Sequence, residues 1–213
     1  MAEMKKILLT GFEPYAHFDV NPSGEVAKLL DGKKVGRCIV QSIILPVSFK
    51  NSFKVLKQRL IEERPPSAVL SMGLNPHAPT IRIERIAINI MDYNGTPDNK
   101  GEKPVDKPIV PRGKLAYLST LPLRKTMKRL NRAGVKVTLS NSAGTHLCNC
   151  IMYSVLNFVT ENGWETKAGF IHLPLLPQQV LKNRKRSANS YSLPLKISTK
   201  AVRIALETAV STV

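Results

Sequence analysis

Three residues in this chain have the right chemistry for acyl transfer: a cysteine, a histidine and a glutamate. The cysteine lies in Ser140-Asn-Ser-Ala-Gly-Thr-His-Leu-Cys148-Asn149. The β-branched run Val135–Leu139 before it reads as a strand, and Cys148 to Phe158 places Met, Leu, Val and Tyr at helical spacing. A small-residue turn therefore delivers Cys148 into the first turn of a helix. Unpaired N–H groups and the helix dipole favour negative charge there, hence the thiolate, which is the attacking form. Taken alone, Cys148 also reads as a small hydrophobe packed on a helix face, the usual fate of a free cysteine. Cys150 follows about 200° further round the helix, so the two thiols cannot share a site, and Cys150 reads as packed.

The histidine is His172, near the end of Ala168-Gly-Phe-Ile-His-Leu-Pro174. The carboxyl end of that short strand faces the same rim as the first turn of the cysteine helix. A lone histidine is as readily a satisfied core or surface group, and His17, His77 and His146 compete with it. The glutamate is Glu84, in Arg82-Ile-Glu-Arg-Ile-Ala-Ile-Asn-Ile-Met91. Read as one strand, this segment places Ile86, Ile88 and Ile90 on one face, and Glu84 shares their parity. A carboxylate on an apolar face needs a partner. Either it forms a structural ion pair, with Arg82 or another basic residue, or it holds an imidazolium. If the three groups meet, a thiolate attacks a carbonyl and an imidazole takes and returns the proton. The carboxylate fixes the imidazole tautomer, and the N–H of Cys148 and its neighbours supplies an oxyanion site. Spacing alone does not bring the three together.

The elements that must position them follow an α/β rhythm. Lys5–Phe12 reads as a buried strand, and the loop after it carries Phe12, Tyr15 and Phe18 beside His17. Those rings either pin the loop to the core or wall a pocket at a strand's carboxyl end. Asn21-Pro-Ser starts a helix with an apolar face at Val26, Leu29 and Leu30. Cys38–Leu45 is a second strand. Phe49–Arg64 is an amphipathic helix with Phe53, Leu56, Leu60 and Ile61 on one side, stopped by Pro65-Pro66. Ala68–Met72 is a third buried strand. This order argues for right-handed crossovers and a largely parallel sheet. Residues 92–113, with four prolines among glycines and charges, form a long irregular loop of the kind that is functional or mobile. Leu121–Arg132 is a basic helix, the cysteine helix runs to about Glu161, residues 184–192 form a polar loop, and Ile197–Val210 is a closing helix.

Composition narrows the function classes. The chain has 213 residues and 43% hydrophobic content, ordinary for a globular protein. No apolar run reaches the roughly 18 residues of a membrane helix, so no membrane partner is implied. Only Cys38, Cys148 and Cys150 occur, in a spacing that fits neither a disulfide framework nor a zinc site. The start enters a strand at once, without a signal-peptide pattern, and a cytoplasmic location is expected. The formal charge is +17, but the 32 Lys and Arg are spread along the chain, and the densest run is Lys182-Asn-Arg-Lys-Arg186. With no nucleic-acid-binding signature beside it, the charge reads as solvated surface rather than as a nucleic-acid partner.

Four blocks together resemble the pyroglutamyl peptidase I family, also called pyrrolidone-carboxylate peptidase. They are Thr10-Gly-Phe-Glu-Pro-Tyr with Asn21-Pro-Ser; Gly73 through Glu84-Arg-Ile-Ala-Ile-Asn89; Ser140 through Asn149; and Gly169-Phe-Ile-His-Leu-Pro174. The resemblance spans nearly the whole chain and is specific through the combination. It implies one peptidase domain over 1–213, with a three-layer α/β/α sandwich and a mixed, largely parallel central sheet. It implies a cysteine exopeptidase that hydrolyses the amide after an N-terminal pyroglutamyl residue through an acyl-enzyme. The family's catalytic residues fall on Glu84, Cys148 and His172, and its pocket on Phe12, Tyr15, Asn21, Leu74, His146 and Leu147. It implies peptides with N-terminal pyroglutamate as substrates, a homo-oligomer (dimer or tetramer), and no cofactor or metal. Tyr15 stands where phenylalanine is usual and His146 where Tyr or Phe is usual. Ala78 and Asn94 stand where many relatives carry arginine. Two alternatives go with these departures: a basic binding protein of the same fold with weak or lost catalysis, and a different thiol-dependent acyl hydrolase.

Overall fold

The computed structural model describes residues 5–62, 64–182 and 191–211 of the chain. In order, the described elements are β1 (Lys5–Phe12), α1 (Pro22–Leu30), β2 (Lys34–Val35), β3 (Cys38–Leu45), α2 (Ser52–Glu62), β4 (Ala68–Leu74), β5 (Ile81–Glu84) and β6 (Ile86–Ile88). There follow β7 (Ala116–Leu118), α3 (Leu123–Arg132), β8 (Val137–Ser140), α4 (Leu147–Glu161), β9 (Lys167–Leu173), α5 (Pro177–Lys182) and α6 (Leu195–Val210). Among the described residues, no helix is long and apolar enough to cross a membrane.

Seven strands form one sheet in the order β2-β3-β1-β4-β9-β5-β8. Pairing is parallel except for β2–β3 and β5–β9. The fold is therefore α/β with a mixed, mostly parallel sheet. Strict alternation sorts its two faces. Ile7 and Leu9 of β1, Leu70 and Met72 of β4, Ile81 and Ile83 of β5, and Ile171 and Leu173 of β9 pack with α1, α3 and α6. Leu8 and Phe12, Val69, and Ala168 and Phe170 face α2 and α4. Glu84 and His172 have the parity of this second face, so both point toward the layer that carries the cysteine helix.

Arg82–Met91 is not one strand. β5 ends at Glu84, and the chain crosses at Arg85 into a separate two-stranded ribbon, β6 with β7. The Arg85 N–H donates to the Ser140 carbonyl, while the Arg85 carbonyl accepts from Ser119 N–H. The expected apolar face of Ile86, Ile88 and Ile90 is half-buried or exposed, and Ala87 points inward instead. Glu84 is buried because it lies on the α4-facing side of β5, opposite Ile81 and Ile83, not because it joins an isoleucine face.

Two helix readings also shift. Leu29 of α1 is 49% exposed and Ile61 of α2 is 62% exposed. α1 buries Val26, Ala27 and Leu30, and α2 buries Leu56 and Leu60, so each helix turns a narrower stripe inward than apolar content suggests. Residues 89–115 carry turns and a single isolated bridge, Met91 with Lys107. Most of the polar loop expected at 184–192, with Lys182-Asn-Arg-Lys-Arg186, lies outside the described residues.

Candidate active site

The turn Asn141 to Thr145 leads from β8 into α4, with His146 at the N-cap and Cys148 in the first turn. The Cys148 side chain is half-buried. Room for its sulfur comes from Gly73 near the carboxyl end of β4, where a Cβ would sit 2.8 Å from the Cys148 Sγ and 3.0 Å from the Phe170 ring. Gly73 pairs in register with His172 on the neighbouring β9. The parallel β4–β9 ladder thus sets the imidazole beside the thiol, close enough for the two groups to influence each other's charge.

On its other side, the ring Nδ1 of His172 is 2.8 Å from Glu84 Oε1, with Glu84 fully buried and His172 5% exposed. β5 runs antiparallel to β9 and pairs Arg82 with His172 and Glu84 with Phe170. The thiol, imidazole and carboxylate therefore form one line, although they come from three segments separated by scores of residues. Burial opposes a charge on His172, but the Cys148 charge and the bonds to Cys148 and Glu84 outweigh it. Together they raise the imidazole to about 9. The ring is cationic at neutral pH, with a proton to give and a carboxylate to steady it.

Arg82 is also present. Its Nη2 donates to Ser140 Oγ at 2.6 Å and lies 3.5 Å from the Ser142 carbonyl, while its Nε lies 3.6 Å from Glu84 Oε1. Glu84 Oε2 has no hydrogen-bond partner among the described residues. Both readings of Glu84 are thus met in one group, because it touches the imidazole and a guanidinium together.

A cleft of about 310 Å³ opens over the sulfur, lined by Phe12, Tyr15, Asn21, Val47, Leu74, His146, Leu147 and Cys148. It gathers all six positions expected for the pocket and adds Val47. Gly11 lets the start of α1 close on the end of β1, since a Cβ there would collide with the Ser23 carbonyl. The Phe12 N–H donates to Ser23 Oγ, and Asn21 caps α1 by accepting from Ser23 N–H while its amide donates to the Glu13 carbonyl. Such a cap is worth about 1 kcal/mol, and here it also fixes the rim. Burial and then the Cys148 charge push the Tyr15 hydroxyl up to about 12, so it stays neutral. His146 Nε2 is 3.0 Å from the Thr96 carbonyl, which can only accept, so Nε2 carries the hydrogen. Burial lowers the His146 pKa, against the pull of the Thr96 bond and of Asp98 and Asp92, and the ring is neutral.

Several residues of this neighbourhood carry no signal of their own in the sequence. Asp98, buried in the long loop, accepts from the N–H groups of Phe49, Lys100 and Glu102. Asn99 donates to Glu13 Oε1 and the Pro14 carbonyl, and Glu13 Oε1 also accepts from Val47 N–H. Asn149, fully buried beside Cys148 in the chain, accepts from Ile88 N–H and donates to the carbonyls of Ile88 and Ile90. The Pro97-Asp-Asn99 cluster is a turn signal whose side chains often bind backbone, and it was the one available hint. Of the other residues singled out, Ala78 is buried in a turn and Asn94 is exposed at φ 47°, and neither lines the cleft. His17 stacks on Phe18 and His77 is exposed, so neither joins the line of three. Cys150 is buried against the Thr145 carbonyl, and burial raises its pKa.

Fold and site define an α/β sandwich with a thiol, an imidazole and a buried carboxylate aligned under an apolar cleft at the carboxyl rim of its sheet. Residues 5–212 match the family model described as pyroglutamyl peptidase. The chain is 42% identical over 205 residues to the pyrrolidone-carboxylate peptidase of Thermococcus litoralis, covering 96% of this chain and 92% of that one. It is 41% identical over 204 residues to that of Pyrococcus furiosus, covering 96% and 97%. The crystal structure of pyrrolidone carboxyl peptidase from Pyrococcus furiosus superposes with a TM-score of 0.93 at 40% identity, over 97% of this chain and 99% of that one. The chain belongs to the pyroglutamyl peptidase family.

Proposed function

We propose that this protein is a cysteine peptidase that hydrolyses the amide bond after an N-terminal pyroglutamyl residue of a peptide, with Cys148 as nucleophile, His172 as acid and base, and Glu84 as the carboxylate that holds His172. The observation that carries it is that one cleft is lined both by the Cys148 thiol and by the rings of Phe12, Tyr15 and His146. A flat, uncharged lactam suits aromatic walls with few polar groups.

The Cys148 thiolate attacks the pyroglutamyl carbonyl carbon, and an S–C bond forms. The carbonyl oxygen takes the negative charge beside N–H groups of the first turn of α4, which lack intrahelical acceptors. As the C–N bond breaks, the imidazolium of His172 gives its proton to the leaving amine. The peptide leaves with a free amino terminus. Neutral His172 then takes a proton from water as the water oxygen attacks the thioester. The C–S bond breaks, pyroglutamate departs, and the thiolate–imidazolium pair returns. Throughout, Glu84 accepts from Nδ1 and keeps Nε2 as the working nitrogen. Phe12, Tyr15, Asn21, Leu74, His146 and Leu147 bind the pyroglutamyl ring, with Val47 beside them. The family resemblance supports a homodimer or tetramer, which sedimentation would measure. The single-domain reading calls for one cooperative unfolding transition.

A fluorogenic pyroglutamyl amide tests the reaction. Turnover should appear, disappear on treatment with iodoacetamide, and fall at least about a thousandfold in Cys148→Ser. Turnover that survives loss of the thiol would refute the mechanism. Thiol-dependent turnover confined to other amides or esters would refute the substrate.

A further inference from the structure

We propose that Arg82 is a positioning residue for this hydrolysis, acting through Glu84: its guanidinium holds the buried carboxylate against His172 and ties it to the turn that delivers Cys148. The inference rests on the roles given to Cys148, His172 and Glu84 above.

Glu84 is fully buried, and among the described residues only its Oε1 is engaged. An ionised carboxylate in such a place needs positive charge nearby. Two groups supply it at the same oxygen: His172 Nδ1 at 2.8 Å and Arg82 Nε at 3.6 Å. The two are not equivalent during turnover. His172 is cationic until it gives its proton to the leaving amine and neutral until it takes one from water. Arg82 takes no part in these proton transfers, so its positive charge stays beside Glu84 at every step. During the half-cycle in which the imidazole is neutral, Arg82 is the cation that remains in contact with Glu84.

The same side chain is anchored. Its Nη2 donates to Ser140 Oγ at 2.6 Å and approaches the Ser142 carbonyl at 3.5 Å, both at the start of the turn into α4. Ser140 is also the register partner of Glu84 across the parallel β5–β8 pair. Arg82 itself faces His172 across the antiparallel β5–β9 pair. One guanidinium thus spans the carboxylate, the imidazole's strand and the nucleophile's turn. With 30% of its side chain exposed, it screens a buried charge from the edge of the site, unlike a surface ion pair in which both members are solvated.

A kinetic cycle with Arg82→Met and Glu84→Gln tests this. Arg82→Met should lower kcat roughly tenfold with KM within about twofold, and Arg82→Lys should recover most of the loss. In the Glu84→Gln background, where no charge remains to be held, Arg82→Met should cost less than about twofold more. An equal loss in both backgrounds, a loss confined to KM, or no loss would overturn the proposal. Glu84→Gln with unchanged turnover would instead overturn the role of Glu84 itself. Thermal unfolding establishes that each variant is folded. If Arg82→Met does not fold, the cycle is run with Arg82→Lys, whose smaller loss must also vanish without the Glu84 charge.

Discussion

The two sides of the candidate site are built differently. The side that holds His172 and Glu84, behind the lining of the cleft, is sheet: their positions follow from the registers of β4, β9 and β5, in which each residue is located by ladder bonds on both sides. The other side, lined by Phe12, Tyr15, Asn21, Val47, Leu74, His146 and Leu147, is backed mostly by loop, namely residues 13–15, 47–49 and 96–99, and by the N-cap of α4. It is held by side chains that bond to backbone: Asn21 to Glu13, Glu13 to Val47, Asn99 to Pro14 and Asp98 to Phe49. A ladder spreads its geometry over many bonds, whereas this wall concentrates it in four side chains. Changes in the sheet wall should therefore act on the chemical step, and changes in the loop wall on binding.

The largest effect should come from the sheet wall. Glu84→Gln should lower kcat by a hundredfold or more, on the order of other triad carboxylate losses, while KM moves little. It should also shift the pH profile. With the imidazole at about 9 in the native enzyme, kcat/KM should fall above roughly pH 9 as the proton leaves, and removing the Glu84 charge should bring that fall to lower pH. The same shift bears on stability. Because the folded value lies above the ordinary 6.5, the contribution of His172 is fully present below that value and is lost as pH rises toward 9. Denaturant titrations across pH 6 to 10 would measure it.

Next comes the loop wall. Asp98→Ala leaves three backbone donors without their acceptor. It should cost about 1–3 kcal/mol in chemical unfolding and raise KM several-fold, with a smaller change in kcat. A fall in kcat equal to that of Glu84→Gln would erase the distinction between the walls. Burial opposes the charge on Asp98, but the bonds from Glu102, Phe49 and Lys100 win and lower its pKa below 3.8. Its contribution should therefore persist at neutral pH and fade only in strong acid, as pH falls through that lowered value.

The smallest effect should be that of Cys150→Ser, with turnover within about twofold of the parent, since its sulfur lies in packing and not in the cleft. A loss like that of Cys148→Ser would move the nucleophile to the other thiol.

The same division explains what could be read in the chain. β1 and β3 stand at the expected residues, because continuous apolar runs bounded by turns leave few alternatives. The cysteine helix begins at Leu147, one residue before the expected start, since the small-residue turn admits little else. At Arg85 the apolar alternation changes phase, from the odd positions Ile81 and Ile83 to the even positions Ile86 and Ile88, and a reading of Arg82–Met91 as one strand passes over that shift, where the pairing partners also change, from β8 and β9 to β7. Pairing partners are long-range facts that local periodicity does not encode. Val47, Asp98 and Asn99 were missed for a similar reason: a loop residue acquires its partners from segments far away, and its own neighbours in sequence do not announce them. Exposed Leu29 and Ile61 show the converse, apolar side chains at helical spacing that fall just outside the buried stripe.

Asn149 joins these two kinds of construction. Its side chain exchanges hydrogen bonds with the backbone of Ile88 and reaches Ile90, so one amide group does for β6 what a neighbouring strand would do. The ribbon and the first turn of α4 are thereby fastened by a single bolt. The Ile88 amide should then exchange its hydrogen with solvent only when the start of α4 also loosens, giving an isotope-labelling signal that reports on the footing of Cys148 from a strand outside the cleft.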